Sequence, residues 1–118
     1  MARQQPGEPF FRIKSDEASQ MIDSDPNIAI IDVRNADEYA AGHAKNATLI
    51  PHDQILARFE ELPKDKTLLF ICAMGQRSAV ACEMAAAMGI ESEKLFNIED
   101  GTPGWISNNY PVSYGKEP

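Results

Sequence analysis

LLFICAMGQRSAVAC, residues 68–82, decides the fold. Residues 68–71 are apolar without alternation, as in a strand covered on both faces. Cys72 ends the run. A short loop with one glycine, Gly75, follows, and then a segment of mostly alanine and methionine that reads as a helix over 78–88, with Gly89 a ready C-terminal cap. A strand that hands over to a helix through a short loop is the building unit of a parallel sheet.

The pattern repeats on both sides. Residues 28–33, IAIIDV, form a second continuous apolar run, and 95–98 read as another strand. Shorter strands fit residues 10–13 and 47–50. Helices are expected over 15–22 with Ser15 as N-cap, over 37–41 closed by Gly42, over 53–62 and over 103–108. In 53–62, Ile55, Leu56, Phe59 and Leu62 are spaced for one helix face. The expected architecture is α/β, a mainly parallel central sheet with helices on both faces. Residues 1–9 read as a loose tail, 10–113 as one domain and 114–118 as a short C-terminal tail.

At 118 residues, with 43% hydrophobic and 25% charged, the chain suits one globular domain. A net charge of −7 argues against nucleic acid and anionic membrane surfaces as partners. No stretch resembles a signal peptide or a membrane span. Two cysteines without metal-type spacing suggest neither a disulfide framework nor a metal site. A cytoplasmic protein without metal or cofactor is the expectation.

In a parallel sheet, ligands bind beyond the carboxyl ends of the strands, and Cys72 sits at one. The free N–H groups and positive dipole end of the following helix face back toward its loop. Loop amides can form an anion-binding nest that favours a thiolate and any anion carried on its sulfur. Gly75 allows a tight turn, Arg77 adds a cation, and Ser78 can cap the helix and donate a hydrogen bond. The alternative is Cys72 as a small core residue.

Ala73, Met74, Gly75, Gln76, Arg77 and Ser78, following Cys72, resemble the active-site loop of the rhodanese sulfurtransferases. The likeness extends to residues 31–34, Glu38-Tyr39, Gly42-His43, Ala47 and Pro51, which match the family's N-terminal signature. Residues 98–101, Gly104-Trp105 and Pro111-Val112 match its C-terminal one. The resemblance covers roughly residues 10–113 and implies a rhodanese-like fold. It also implies a mechanism in which Cys72 takes a sulfane sulfur from a donor such as thiosulfate, forms a persulfide, and yields the sulfur to cyanide or a thiol. The implied partners are a small sulfur donor and acceptor, or a partner protein in either role. Asp100 stands where the family often has glycine. Ala73 stands where many thiosulfate-using members carry a cation.

Asp32, Arg34 and Trp105 are candidate pocket-lining residues. The competing reading makes Asp32 and Arg34 a structural network with Arg34 reaching Glu38 or another carboxylate, and has Trp105 packing the last helix onto the sheet. His43 reads as a structural hydrogen-bonded histidine, Cys82 as a buried inert thiol, and His52 carries no assigned role. Two rival functions remain. One is a sulfur-carrier or partner-binding module. The other is a cysteine-dependent phosphatase, which by resemblance needs five residues between cysteine and arginine where this chain has four.

Overall fold

The structure, a computed structural model, describes residues 2–118. The chain runs β1 (Phe11–Ile13), α1 (Ser15–Ser24), β2 (Ile28–Asp32), α2 (Ala36–Ala41), β3 (His43–Ala44), β4 (Thr48–Leu49), β5 (Thr67–Ile71), α3 (Gln76–Ala87), β6 (Leu95–Ile98), α4 (Gly101–Ser107) and β7 (Val112–Ser113). Five strands form one sheet in the order β1-β6-β5-β2-β4, and every pairing in it is parallel. β3 and β7 pair antiparallel in a separate small ribbon.

Both faces of the sheet are covered, which is why β2 and β5 read as nearly unbroken apolar runs. On one face Phe10, Ile31, Leu68, Phe70 and Leu95 meet Ala81, Cys82 and Ala85 of α3. Small side chains on that face of α3 let the helix lie close to the sheet. On the other face Ile30, Leu69, Ile71 and Ile98 meet Ala18 of α1 and Trp105 of α4. From β2 the chain moves outward to β4, then returns to pair β5 on the opposite side of β2. That reversal opens a crevice at the carboxyl ends of β2 and β5, where Arg34 and Cys72 sit.

Four local expectations need correction. Residues 53–62 do not form an amphipathic helix. Two 3-10 turns, His52–Gln54 and Phe59–Glu61, stand there instead. Ile55, Phe59 and Leu62 still bury, but Leu56 is exposed. Closing bonds such as Gln54 N–H to Pro51 O and Leu62 N–H to Phe59 O are of the tight three-residue kind, which pulls Leu56 off the buried face. Ser15 is the first residue of α1, not its cap. Its N–H and hydroxyl both donate to Asp100 Oδ1 at 2.9 Å. The helix start is instead held by Glu17, whose carboxylate accepts the Lys14 N–H.

α3 begins at Gln76 rather than Ser78, because Gly75 adopts φ +84° and turns the chain into the helix two residues early. The segment before β1, read as a loose tail, is tied to that strand. Arg3 and Arg12 exchange backbone hydrogen bonds of 2.9 and 2.6 Å, and the Arg3 side chain pairs with Glu17 and Glu99. At the other end, Gly115 N–H donates to Ala40 O.

Candidate active site

β5 carries the sulfur to the sheet edge, and Gly75 bends the chain back over it. Cys72 is 1% exposed. Its Sγ lies 3.1 Å from the Gly75 N–H, 3.4 Å from the Ser78 N–H and 3.2 Å from Ser78 Oγ. The Gly75 and Ser78 N–H groups donate to the sulfur from the N-terminus of α3, a position that helices leave unpaired. Above the sulfur a cavity of about 120 Å³ is lined by Cys72, Ala73, Met74, Gln76 and Arg77. It holds more than the roughly 10–15 Å³ that a single water needs.

The loop is clamped from below by the turn between β6 and α4. A Cβ on Gly75 would sit 2.6 Å from Glu99 O. A Cβ on Gly101, at φ +65°, would collide with Ala73 O and lie 2.7 Å from Cys72 O. Thr102 N–H donates to Cys72 O at 2.8 Å, and the Thr102 hydroxyl adds a second bond at 3.3 Å. Gly101 thus lets two backbones touch. Asp100, standing where a second glycine is common, serves instead to bind the start of α1.

The cations of the crevice are paired. Arg34 grips Asp32 through its Nε and NH2 atoms at 2.7–3.1 Å and donates to Gly42 O. Asp32 is fully buried. Arg77 binds Glu38 with both nitrogens, at 2.8 and 2.9 Å. That hydrogen-bonded pair, helped by the Asn35 N–H, holds the Glu38 carboxyl down at about 2. It raises Arg77 in turn.

A second hollow of about 420 Å³ opens beside Ala73. Arg34, Glu38, Gly42, Thr102, Pro103 and Ile106 are among its walls. Met74, 77% exposed, and Ile106, 45% exposed, stand at this end of the molecule as large apolar side chains.

Of the expected site residues, Cys72 and the loop from Ala73 to Ser78 come together, and Arg34 lines the crevice with Asp32 beneath it. Trp105 does not reach it. It is 3% exposed, donates its Nε1–H to Pro111 O, and borders a separate cavity with Ile30 and Lys45. Arg34 takes Asp32, and the partner of Glu38 is Arg77. His43 is structural, stacked on Tyr39 and bonded to Tyr39 O and Glu117 O. Cys82 is fully buried, and burial, then the Glu83 charge, pushes its thiol well up. Sequence reasoning missed Thr102, Ile106 and Asn97. Asn97 Oδ1 meets the Ser78 hydroxyl, and its Nδ2–H donates to Gly75 O.

Among the described residues no group of three or more His, Cys, Asp or Glu is placed to hold a metal ion, and no helix is long and apolar enough to cross a membrane.

The family model described as "Rhodanese-like domain" matches residues 14–108. A protein of Allochromatium vinosum named sulfurtransferase is 28% identical over 100 residues, which is 85% of this chain and 92% of that one. A rhodanese-like domain protein of Staphylococcus aureus, known from a crystal structure, is 34% identical. Its TM-score is 0.71, over 80% of this chain and 89% of that one. A rhodanese-related protein of Thermoplasma volcanium superposes with TM-score 0.76 at 29% identity, over 86% of this chain and 96% of that one.

Proposed function

The chain belongs to the rhodanese-like domain family, and from that premise we propose that it moves a sulfane sulfur through a persulfide on Cys72. With thiosulfate as donor, the Cys72 thiolate attacks the outer sulfur. A new S–S bond forms on Cys72, the S–S bond of thiosulfate breaks, and sulfite leaves with its electron pair. An acceptor nucleophile such as cyanide then attacks the terminal sulfur and releases thiocyanate, returning the thiolate. Charge balances in each step, and the protein alternates between its thiolate and persulfide forms.

The observation that carries this reading is the set of donors converging on one sulfur, with a small cavity beyond it. A terminal persulfide sulfur is anionic. Amides at a helix N-terminus are suited to hold it. Incubation with thiosulfate, desalting and intact mass measurement test the proposal. One sulfur atom is expected on the wild type and none on Cys72→Ser, and cyanide should discharge the loaded form as thiocyanate. A wild-type mass without added sulfur refutes the thiosulfate step.

A second reading has its own observation. The hollow beside Ala73 has mostly apolar walls and is far larger than a single sulfur requires. It suits an acceptor or donor thiol borne on a larger body, so that the protein works as a carrier with slow thiosulfate turnover. Loading from a persulfide-bearing protein, far faster than from thiosulfate, would favour it.

A further inference from the structure

Asn97 is fully buried in β6. It pairs in register with Phe70, so its side chain shares the sheet face that carries Cys72 and α3. Its Nδ2–H donates to Gly75 O at 3.1 Å, and its Oδ1 lies 2.5 Å from Ser78 Oγ. The Gly75 carbonyl decides which way the amide points. Turned over, Oδ1 would face another acceptor.

With Oδ1 toward Ser78, the hydroxyl must donate to Asn97, because an amide oxygen has no hydrogen to give. Ser78 has one hydrogen. Spent on Asn97, it leaves only lone pairs facing Cys72 Sγ, 3.2 Å away. That arrangement suits a thiol, whose S–H donates to Ser78 Oγ. It opposes a thiolate, since a sulfur anion can only accept.

We propose that Asn97 is a positioning residue that withholds the Ser78 hydrogen from Cys72, so that forming a sulfur anion requires the hydroxyl to turn from Asn97 to the sulfur. No proton crosses to Asn97. The hydroxyl hydrogen reorients, and the thiol proton leaves to solvent. After the turn, Asn97 Oδ1 is buried without that donor, a cost for any hydrogen-bonding group. Asn97 therefore biases the resting site toward the thiol, acting through Ser78. The inference rests on Cys72 as the reactive thiol.

The charged groups near the sulfur are Arg77 on α3, paired with Glu38 on α2, Asp32 and Arg34 at the end of β2, which pairs with β5, and, in the β6–α4 turn packed against the loop, Glu99, paired with Arg3 and Arg12, and Asp100. Cys82 lies farther along α3. Changes at Asn97 to an apolar residue leave all of these in place.

The test is the pH profile of Cys72 alkylation by iodoacetamide, read by intact mass. Asn97→Leu removes the acceptor and frees the hydroxyl, and it also removes the donor to Gly75 O, an effect that the Ser78→Ala background shares. The profile should shift toward acid, with alkylation on the acid limb about five- to tenfold faster, the value of one recovered hydrogen bond. In a Ser78→Ala background the same Asn97→Leu change should produce no such shift. A purely structural role for Asn97 predicts loosening of the loop whether or not Ser78 is present. Asn97→Val repeats the test with less added bulk should Asn97→Leu fail to fold. An unchanged or alkaline-shifted profile, or an acid shift that survives loss of the Ser78 hydroxyl, overturns the proposal. The readout involves no sulfur transfer. A Ser78-dependent shift in a protein that takes no sulfur from thiosulfate leaves this inference standing and removes the proposed reaction. Sulfur loading without the shift does the reverse.

Discussion

Cys72 and Cys82 are both almost fully buried, at 1% and 0% exposure, yet their surroundings separate them. Cys72 faces amide donors and a cavity. Cys82 faces the sheet from among alanines, and burial pushes its thiol up. Iodoacetamide at neutral pH should therefore label Cys72 and spare Cys82, and Cys82→Ser should keep most of the sulfur transfer that Cys72→Ser loses. Equal labelling of the two cysteines would show that burial does not protect Cys82. The glycines offer a second contrast. Gly75→Ala forces a left-handed backbone on alanine, at about 1 kcal/mol or more, and drives a Cβ into Glu99 O. Gly89, at φ +107°, has open space around its missing Cβ. Gly75→Ala should abolish sulfur loading, whereas Gly89→Ala should lower the melting temperature and leave loading intact. Retained loading in Gly75→Ala would mean that sulfur loading does not depend on the loop geometry.

At the scale of elements, Glu38 ties α2 to α3. It accepts the Asn35 N–H at the start of α2 and both Arg77 nitrogens at the start of α3. A cation in the first turn of a helix is disfavoured by the dipole, so the carboxylate offsets Arg77 where it stands. Its folded value of about 2 lies below the ordinary 4.5. The stabilisation is therefore complete above about 4.5 and is lost as pH falls through about 2. Because the pair is partly exposed, its contribution is screened and small, under about 1 kcal/mol. The stability difference between wild type and Glu38→Gln should stay constant from pH 7 down to 5 in chemical denaturation and shrink in stronger acid. A difference that vanishes between pH 7 and 5 would contradict the lowered value. This pairing was not legible in the sequence, since the partners lie 39 residues apart. Asn97 was hidden for the same reason: one asparagine in LFNI carries no local signal until β6 is laid beside β5. Strands 28–32 and 67–71 were legible because burial on both faces leaves nearly unbroken apolar runs. The 53–62 stretch misled because Ile55, Phe59 and Leu62 bury in either geometry, and Leu56 alone tells the helix from the 3-10 turns.

The whole molecule bears on the choice of donor. Thiosulfate is a dianion approaching a chain of net charge −7, and at physiological salt fields fade beyond about 8 Å. Attraction must come from groups at the mouth of the site, and there Arg34 and Arg77 are already paired with Asp32 and Glu38. The amides of α3 remain, and the loop's cation, Arg77, is held by Glu38. Weak apparent binding of thiosulfate is the expected consequence. Ala73 is the position to change, because it borders both the cavity over Cys72 and the larger hollow. Its backbone contact with Gly101 does not involve the side chain. Ala73→Lys should place an unpaired cation at the mouth, worth about 1 kcal/mol or several-fold in affinity. In cyanide-dependent thiocyanate formation, KM for thiosulfate should fall several-fold at low ionic strength and much less at high salt, with kcat little changed. Glu38→Gln should act in the same direction by releasing Arg77. A wild-type KM already in the low micromolar range, or a KM that neither substitution lowers, would mean that missing positive charge is not what limits thiosulfate use.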